Sequence, residues 1–212
     1  MSIPSKEELY SALVERHGVE LQEKLSRASV AVCGLGGLGS NISIALARAG
    51  IGELHLIDYD KVDISNLNRQ QFFIEQLGQP KTEALFDTLK RIAPYCNIKI
   101  DNIKLSEDNM KDILSNEDII VEAFDKADQK AMLVNFVLEH MPDKYLVAGS
   151  GMAGLAPSNM ITTKRITKRF YLCGDGVSDI ANDIGLISAR VLICAAHQAH
   201  AVIRIIAGEY EI

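Results

Sequence analysis

The 212-residue chain has few cysteines, and none of the four (Cys33, Cys96, Cys173 and Cys194) stands in a C-x-x-C pair. That spacing excludes a zinc knuckle and a thioredoxin-type redox motif. There is no excess of basic charge: the formal net charge is −6, and nothing global favours nucleic acid or a membrane surface. Internal repeats, low-complexity linkers and a signal-peptide pattern are absent. The longest apolar segment lies near the C-terminus and carries Arg190, His197, Gln198, His200 and Arg204, too many polar groups for a transmembrane helix. What is present is 48% hydrophobic residues, ample for a buried core. The length suits one large domain or two small ones.

One stretch organises the rest. Val30–Cys33 is an apolar, partly β-branched run that enters the turn Gly34-Leu35-Gly36-Gly37-Leu38-Gly39-Ser40. Asn41–Arg48 reads as a helix, with Gly50 where a helix terminator is wanted. Glu53–Ile57 is a second strand, closed by Asp58. Gly34, Gly36 and Gly39 fit G-x-G-x-x-G, which serves a sharp turn, close approach of a phosphate, and tight packing of helix on strand. The helix N-terminus attracts that phosphate, and Asp58 stands where a carboxylate accepts bonds from a ribose. Taken alone, the motif suggests NAD. The sequon Asn41-Ile42-Ser43 lies inside this unit and carries no meaning there. A nucleotide motif, few cysteines and no leader lead us to expect a cytoplasmic protein.

Elsewhere, Ser5–Leu25 reads as a helix with a Ser5-x-x-Glu8 capping box, interrupted at Gly18 just after Arg16. Ile64-Ser65-Asn66-Leu67-Asn68-Arg69-Gln70 is a polar loop with a short helical turn beyond the second strand. Gly78-Gln79-Pro80-Lys81 opens a helix to about Ile92, and a lysine at a helix start opposes the dipole unless an anion is near. Strands are expected at Asn97–Ile103, Ile119–Ala123 and Lys144–Ala148, and helices at Ser106–Leu114 and Ala127–His140. Asp125 falls at another carboxyl edge. Ser158–Thr163 and Arg169–Leu172 read as two late strands around a basic run, Lys164–Arg169, and Cys173–Gly176 as a turn. Leu186–Ala207 is a long helix, apolar nearly all round, stopped by Gly208. The fold class is α/β: a Rossmann-like, mostly parallel sheet with helices on both faces and a short antiparallel extension near the C-terminus. We expect a single domain, with a nucleotide-binding core over 30–148 and late strands plus a helix over 149–212.

The glycine loop, Asp58, Ser65–Gln70, Gly78–Lys81 and Asp125, in that order, resemble the ThiF/MoeB adenylyltransferases, relatives of the ubiquitin-activating enzymes. The short length and the closing Ala195–Ala199 helix look most like the short ThiF type, which activates the sulfur carrier ThiS in thiamine biosynthesis. The resemblance implies ATP rather than NAD, with adenylation of the C-terminal glycine carboxylate of a small ubiquitin-like carrier ending in Gly-Gly, and release of pyrophosphate. It implies nucleotide contacts from Gly34, Gly36, Gly37 and Gly39, from Asp58 to the ribose, from Asn66, Asn68 and Arg69, and from Lys81. It also implies Mg²⁺ on Asp125. Arg69, Lys81 and Asp125 are the implied catalytic groups. Cations are wanted there because charge builds on the phosphoryl oxygens and the leaving pyrophosphate.

Three departures matter. Relatives with two C-x-x-C pairs bind zinc, so no zinc is expected here. The family's N-terminal arginine, which reaches a partner subunit's ATP, has only Arg16 as its counterpart. Cys173 is the one cysteine in a region where some relatives carry a reactive thiol. The resemblance also implies a twofold homodimer, with the late strands and the C-terminal helix in the contact and the carrier tail passing Lys164–Arg169. A MoaD-like carrier for molybdopterin is the nearest alternative. An NAD-dependent oxidoreductase is a more distant one, since the chain after residue 150 is too short for a substrate domain.

Overall fold

The computed structural model of the chain describes residues 3–181 and 184–211. Helices α1 (Lys6–His17) and α2 (Val19–Arg27) open it. The Ser5 hydroxyl accepts from the Glu8 amide at 3.1 Å and the Glu8 carboxylate from the Ser5 amide at 2.7 Å, which is the expected capping box. The break falls at Gly18, whose φ of +87° favours glycine.

Strand β1 (Ser29–Cys33), helix α3 (Gly37–Ala49) and strand β2 (Glu53–Asp58) form the first unit. Helix α3 starts at Gly37 rather than Asn41, so Gly37 and Gly39 belong to its first turn. There follow α4 (Lys81–Ile92), β3 (Asn97–Asn102), α5 (Glu107–Ile113), β4 (Ile119–Glu122), α6 (Ala127–His140) and β5 (Tyr145–Gly149). The chain closes with β6 (Thr162–Arg165), β7 (Phe170–Gly174) and α7 (Ser188–Ala207). The strands make one seven-stranded sheet in the order β3-β2-β1-β4-β5-β7-β6. Every pair is parallel except β6 with β7. The chain winds outward from β1 to β3, then returns to place β4 on the other side of β1. That reversal opens a crevice at the carboxyl ends of β1 and β4, where open α/β sheets bind ligands.

Alternate strand residues feed two cores, as expected for strands covered on both faces. Val30, Val32, Leu54 and Val121 pack with Ile42, Leu46, Leu85 and Val202 from α3, α4 and α7. Ala31, Cys33, Ile120 and Leu146 pack with Met110, Leu133 and Val137 from α5 and α6. Helix α7 lies along α3 and against β5 and β7. Against the expectation from its polar residues, it is by length and composition alone apolar enough to cross a membrane, but 50% of its apolar window is buried inside the protein, as in a core helix. Its outer stripe, Leu192, Ala196 and His200, is exposed.

Three expectations need correction. Pro157 leads into a 3-10 turn over Ser158–Met160, so the strand expected at Ser158–Thr163 begins only at Thr162. Cys173 lies inside β7, paired in register with Gly149, and not in a turn. The basic run is turned away from the crevice. Because β7 runs parallel to β5, the β6–β7 turn sits at the amino-terminal edge of the sheet, where Arg169 donates to the Asp143 carbonyl. Arg165 is tied to Glu211 at 2.5 Å, and none of Lys164–Arg169 lines the crevice, so the run forms no part of its wall.

Candidate functional site

The crevice holds a cavity of about 520 Å³, walled by the glycine turn, the end of β2, the Asn66–Gln70 loop, Lys81, the β4–α6 turn and Gly149–Ala153. Gly34 has φ +91°, and a Cβ there would stand 2.8 Å from the Ala123 carbonyl oxygen. At Gly39 a Cβ would stand 1.8 Å from the Gly34 carbonyl oxygen, because α3 begins directly against the end of β1. Gly36 differs: a Cβ would meet only the Gln70 Nε2, at 3.5 Å, so the space beside it opens to the cavity.

Asp58 ends β2 and is buried. Its Oδ2 accepts from the Leu35 amide at 2.6 Å and its Oδ1 from the Asp60 amide at 2.8 Å. Burial raises its pKa from the ordinary carboxylate value, and the Lys81 ammonium and the two amides oppose that rise. Each carboxylate oxygen keeps a lone pair for a hydroxyl donor. Lys81 opens α4 and is itself buried, with Nζ 3.2 Å from Asp60 Oδ2. Asp60 thereby supplies an anion beside the lysine at the helix start.

The loop after β2 is pinned to α3. Asn41 Nδ2 donates to the carbonyls of Gly37 (2.7 Å) and Arg69 (3.2 Å), and the Gln71 amide donates to Ser40 Oγ (3.1 Å). Arg69 Nη1 donates to the Ser65 carbonyl (3.1 Å) and to Asn68 Oδ1 (2.8 Å). Arg69 Nε and Gln70 Oε1 are buried without a partner among the described residues, and both residues line the cavity. A buried polar atom without a partner costs free energy unless a ligand satisfies it. Asp125 is exposed at the mouth and makes no hydrogen bond or ion pair among the described residues.

The structure therefore brings Gly34, Gly36, Gly37, Asp58, Asn66, Arg69, Lys81 and Asp125 onto one cavity. It leaves four of the expected residues off the wall. Gly39 acts through packing alone. Asn68 donates to the Leu186 carbonyl at 3.3 Å, anchoring the approach to α7. Arg16 is exposed on α1, away from this cavity. Cys173 is fully buried against Thr163, and burial pushes its thiol up to about 11, so it has neither the access nor the thiolate character of a nucleophile.

Sequence reasoning missed Gln70 as a wall residue, and also two buried ion pairs. Glu122 pairs with Lys130 at 2.5 Å beneath the floor. Arg190 of α7 pairs with Asp175 at 2.5 Å and donates to the carbonyls of Ala153 and Pro157, at 3.0 and 3.1 Å, clasping the loops on the rim. Burial alone would raise the Asp175 pKa, but the Ser178 and Val177 amides, the Ser178 hydroxyl and Arg190 hold it at about 2. A carboxylate within an apolar strand, as in Ile119–Ala123, was the available signal for Glu122, since such a charge needs a partner.

A metal fits this site only in a shared way. No group of three or more His, Cys, Asp or Glu side chains able to hold an ion occurs among the described residues. Mg²⁺ commonly takes one or two carboxylates and completes its shell with phosphate oxygens and water. Asp125, free at the mouth of a cation-lined cavity, suits that arrangement.

The ThiF family model matches residues 10–212. The molybdopterin-synthase adenylyltransferase of Haemophilus influenzae is 39% identical over 113 residues, 53% of this chain and 46% of that protein. The tRNA threonylcarbamoyladenosine dehydratase of the same organism is 35% identical over 130 residues, 60% of this chain and 50% of that protein. The chain thus spans about half the length of these curated relatives. The Escherichia coli tRNA N6-threonylcarbamoyladenosine dehydratase, solved in complex with ATP, superposes with a TM-score of 0.85 at 20% identity, covering 98% of each chain, and so shares the fold. A match over nearly the whole chain, on the crevice just described, places this protein in the ThiF family.

Proposed function

We propose that the protein is an ATP-dependent adenylyltransferase that activates a carboxylate, and that its substrate is the C-terminal glycine of a small ubiquitin-like sulfur carrier. The observation that carries this reading is the convergence of Asp58, Arg69 and Lys81 on the glycine-turn cavity, with Arg69 Nε and Gln70 Oε1 unpartnered among the described residues.

In the reaction a carboxylate oxygen of the carrier attacks the α-phosphorus of ATP. The bond from that phosphorus to the β-bridging oxygen breaks, and pyrophosphate leaves with the electron pair. Asp58 orients the ribose through its hydroxyls. The opening of α3 offers its free amides to the phosphates. Arg69 and Lys81 face the charge that grows on the phosphoryl oxygens and the leaving group, where preorganised donors act most strongly. Asp125 would hold Mg²⁺, which when bound neutralises phosphate charge.

The carrier is ThiS-like in this proposal, with a MoaD-like carrier as the alternative. A tRNA-borne carboxylate is the second reading, favoured by the 35% identity to the dehydratase. The net charge of −6 speaks for a protein substrate instead. The test is pyrophosphate release from ATP with each substrate in turn. Release with a ThiS-like carrier supports the proposal, and release with tRNA alone overturns the choice of substrate.

We further propose a twofold homodimer in which the exposed stripe of α7 contributes to the contact and Arg16 serves the second copy's site. Arg16 is exposed, makes no hydrogen bond or ion pair among the described residues, and lies off its own cavity. Mixing inactive Arg16→Ala and Lys81→Ala chains should regain activity if the site is shared. No gain on mixing would refute it.

A further inference from the structure

Lys130 sits early in α6 with its side chain 25% exposed, reaching from the cavity wall to the fully buried Glu122. Its Nζ donates to Glu122 Oε2 at 2.5 Å and to the Gly149 carbonyl at 2.7 Å. Glu122 ends β4. Its Oε1 accepts from the Phe124 amide at 2.8 Å, fixing the turn that presents Asp125, and its Oε2 also accepts from the Gly149 amide at 3.4 Å. From below, Gln198 Nε2 of α7 donates to the Glu122 carbonyl at 2.9 Å and to the Val147 carbonyl at 3.4 Å.

One ammonium therefore joins two neighbouring segments of the cavity wall, at the carboxyl ends of the paired strands β4 and β5: the turn bearing Asp125, and Gly149–Ala153. Isolated, the Glu122 carboxylate would be costly, since burial raises its pKa and Lys130 is the chief group opposing that rise. A buried ion pair is rarely the cheapest way to stabilise a floor, and apolar residues of similar volume often do as well. Its position points to geometry.

We infer that Lys130 is a positioning residue for the adenylation step, setting the spacing between the Asp125 turn and the β5 exit through Glu122 and Gly149. This rests on the adenylyltransferase reading above. Lys130 itself touches neither the carboxylate nor the α-phosphorus in this account. Displacing reacting groups by about 1 Å can cost roughly 10²-fold in rate, and that is the scale expected.

The experiment compares Lys130→Met, Lys130→Arg and the double variant Glu122→Gln/Lys130→Met with the parent protein. Each is measured by thermal melt, by ATP titration, by steady-state pyrophosphate release and by amide hydrogen exchange. Lys130→Met should melt early and release pyrophosphate about 10–100-fold more slowly, with the KM for ATP changed less than about threefold. The double variant buries no charge, so it should melt like the parent yet stay slow. Lys130→Arg keeps the cation and should recover most of the rate. Parental rate in the double variant would show that the pair only balances charge, and would overturn the inference. So would a parental rate in Lys130→Met. Hydrogen exchange needs no substrate: the amides of Phe124 and Gly149 should exchange at least about tenfold faster in both Met variants. Unchanged exchange there overturns the inference even if the parent releases no pyrophosphate, a result that would instead sink the adenylyltransferase reading.

Discussion

Replacing Lys81 by methionine separates chemistry from folding. The Lys81 stem is buried at the start of α4, and methionine fills similar volume. The partner carboxylate, Asp60, is 50% exposed, so water takes over its solvation once the ammonium is gone. An ion pair with so exposed a partner contributes about 0–1 kcal/mol, and the thermal melt should hardly move. Transition-state charge is another matter. Losing one preorganised donor at a developing oxyanion costs about 2.7–4 kcal/mol, or roughly 10²–10³ in rate. A second effect falls on Asp58, whose raised pKa is held down chiefly by Lys81. Without the lysine that pKa climbs further, so the acid limb of ATP binding should move to higher pH. The assays are carrier-dependent pyrophosphate release, ATP titration across pH, and a melt. Release within threefold of the parent would refute the role given to Lys81. So would a loss of rate that merely tracks a loss of fold.

Asp125→Asn should lower pyrophosphate release by about 10²-fold while leaving the melt unchanged, because the exposed carboxylate bonds to nothing among the described residues. Release by the variant equal to the parent's would exclude it as a metal-holding group. Gly39→Ala forces a Cβ to 1.8 Å from the Gly34 carbonyl oxygen and should cost about 1–3 kcal/mol, visible as a lowered melting temperature. Gly36→Ala has room within the protein, so it should melt normally yet bind ATP more weakly. At acid pH the sign follows from Asp175, whose folded pKa of about 2 lies below its unfolded value of 3.8. Its stabilisation is complete above pH 4 and is lost as the pH falls from about 4 to 2. Arg190→Met should reduce that acid sensitivity, and urea melts at a series of pH values will show whether it does.

Much of this was legible along the chain because its signals are local. Val30–Ser40 declares a strand and a turn within a few residues, and Asp58 closes the next strand of the same unit. Gly18 and Gly50 mark helix ends through positive φ, and Ser5 and Glu8 mark a helix start. The two late strands were visible too, but not their direction relative to β5, and that direction decides which edge the basic turn occupies. Periodicity carries no information about it. The ion pairs escaped for the same reason. Arg190 meets Asp175 across 15 positions in sequence, and Lys130 meets Glu122 across 8, neither at a helical or strand spacing within one element. Only the finished sheet brings those groups together. Cys173 misled because its neighbours Gly174 and Gly176 resemble a turn, while the register with β5 keeps the residue in a strand.

The central claim is that a carrier carboxylate attacks the α-phosphorus of ATP in the crevice at the ends of β1 and β4. It is tested most directly by labelling the C-terminal carboxylate of a ThiS-like carrier with oxygen-18 and trapping the adenylated product with hydroxylamine. Hydroxylamine attacks the acyl carbon and leaves the bridging oxygen on phosphorus. The account predicts AMP bearing a single oxygen-18, formed only when the carrier keeps its terminal glycine. Unlabelled AMP, or AMP formed equally well without the carrier, would contradict it.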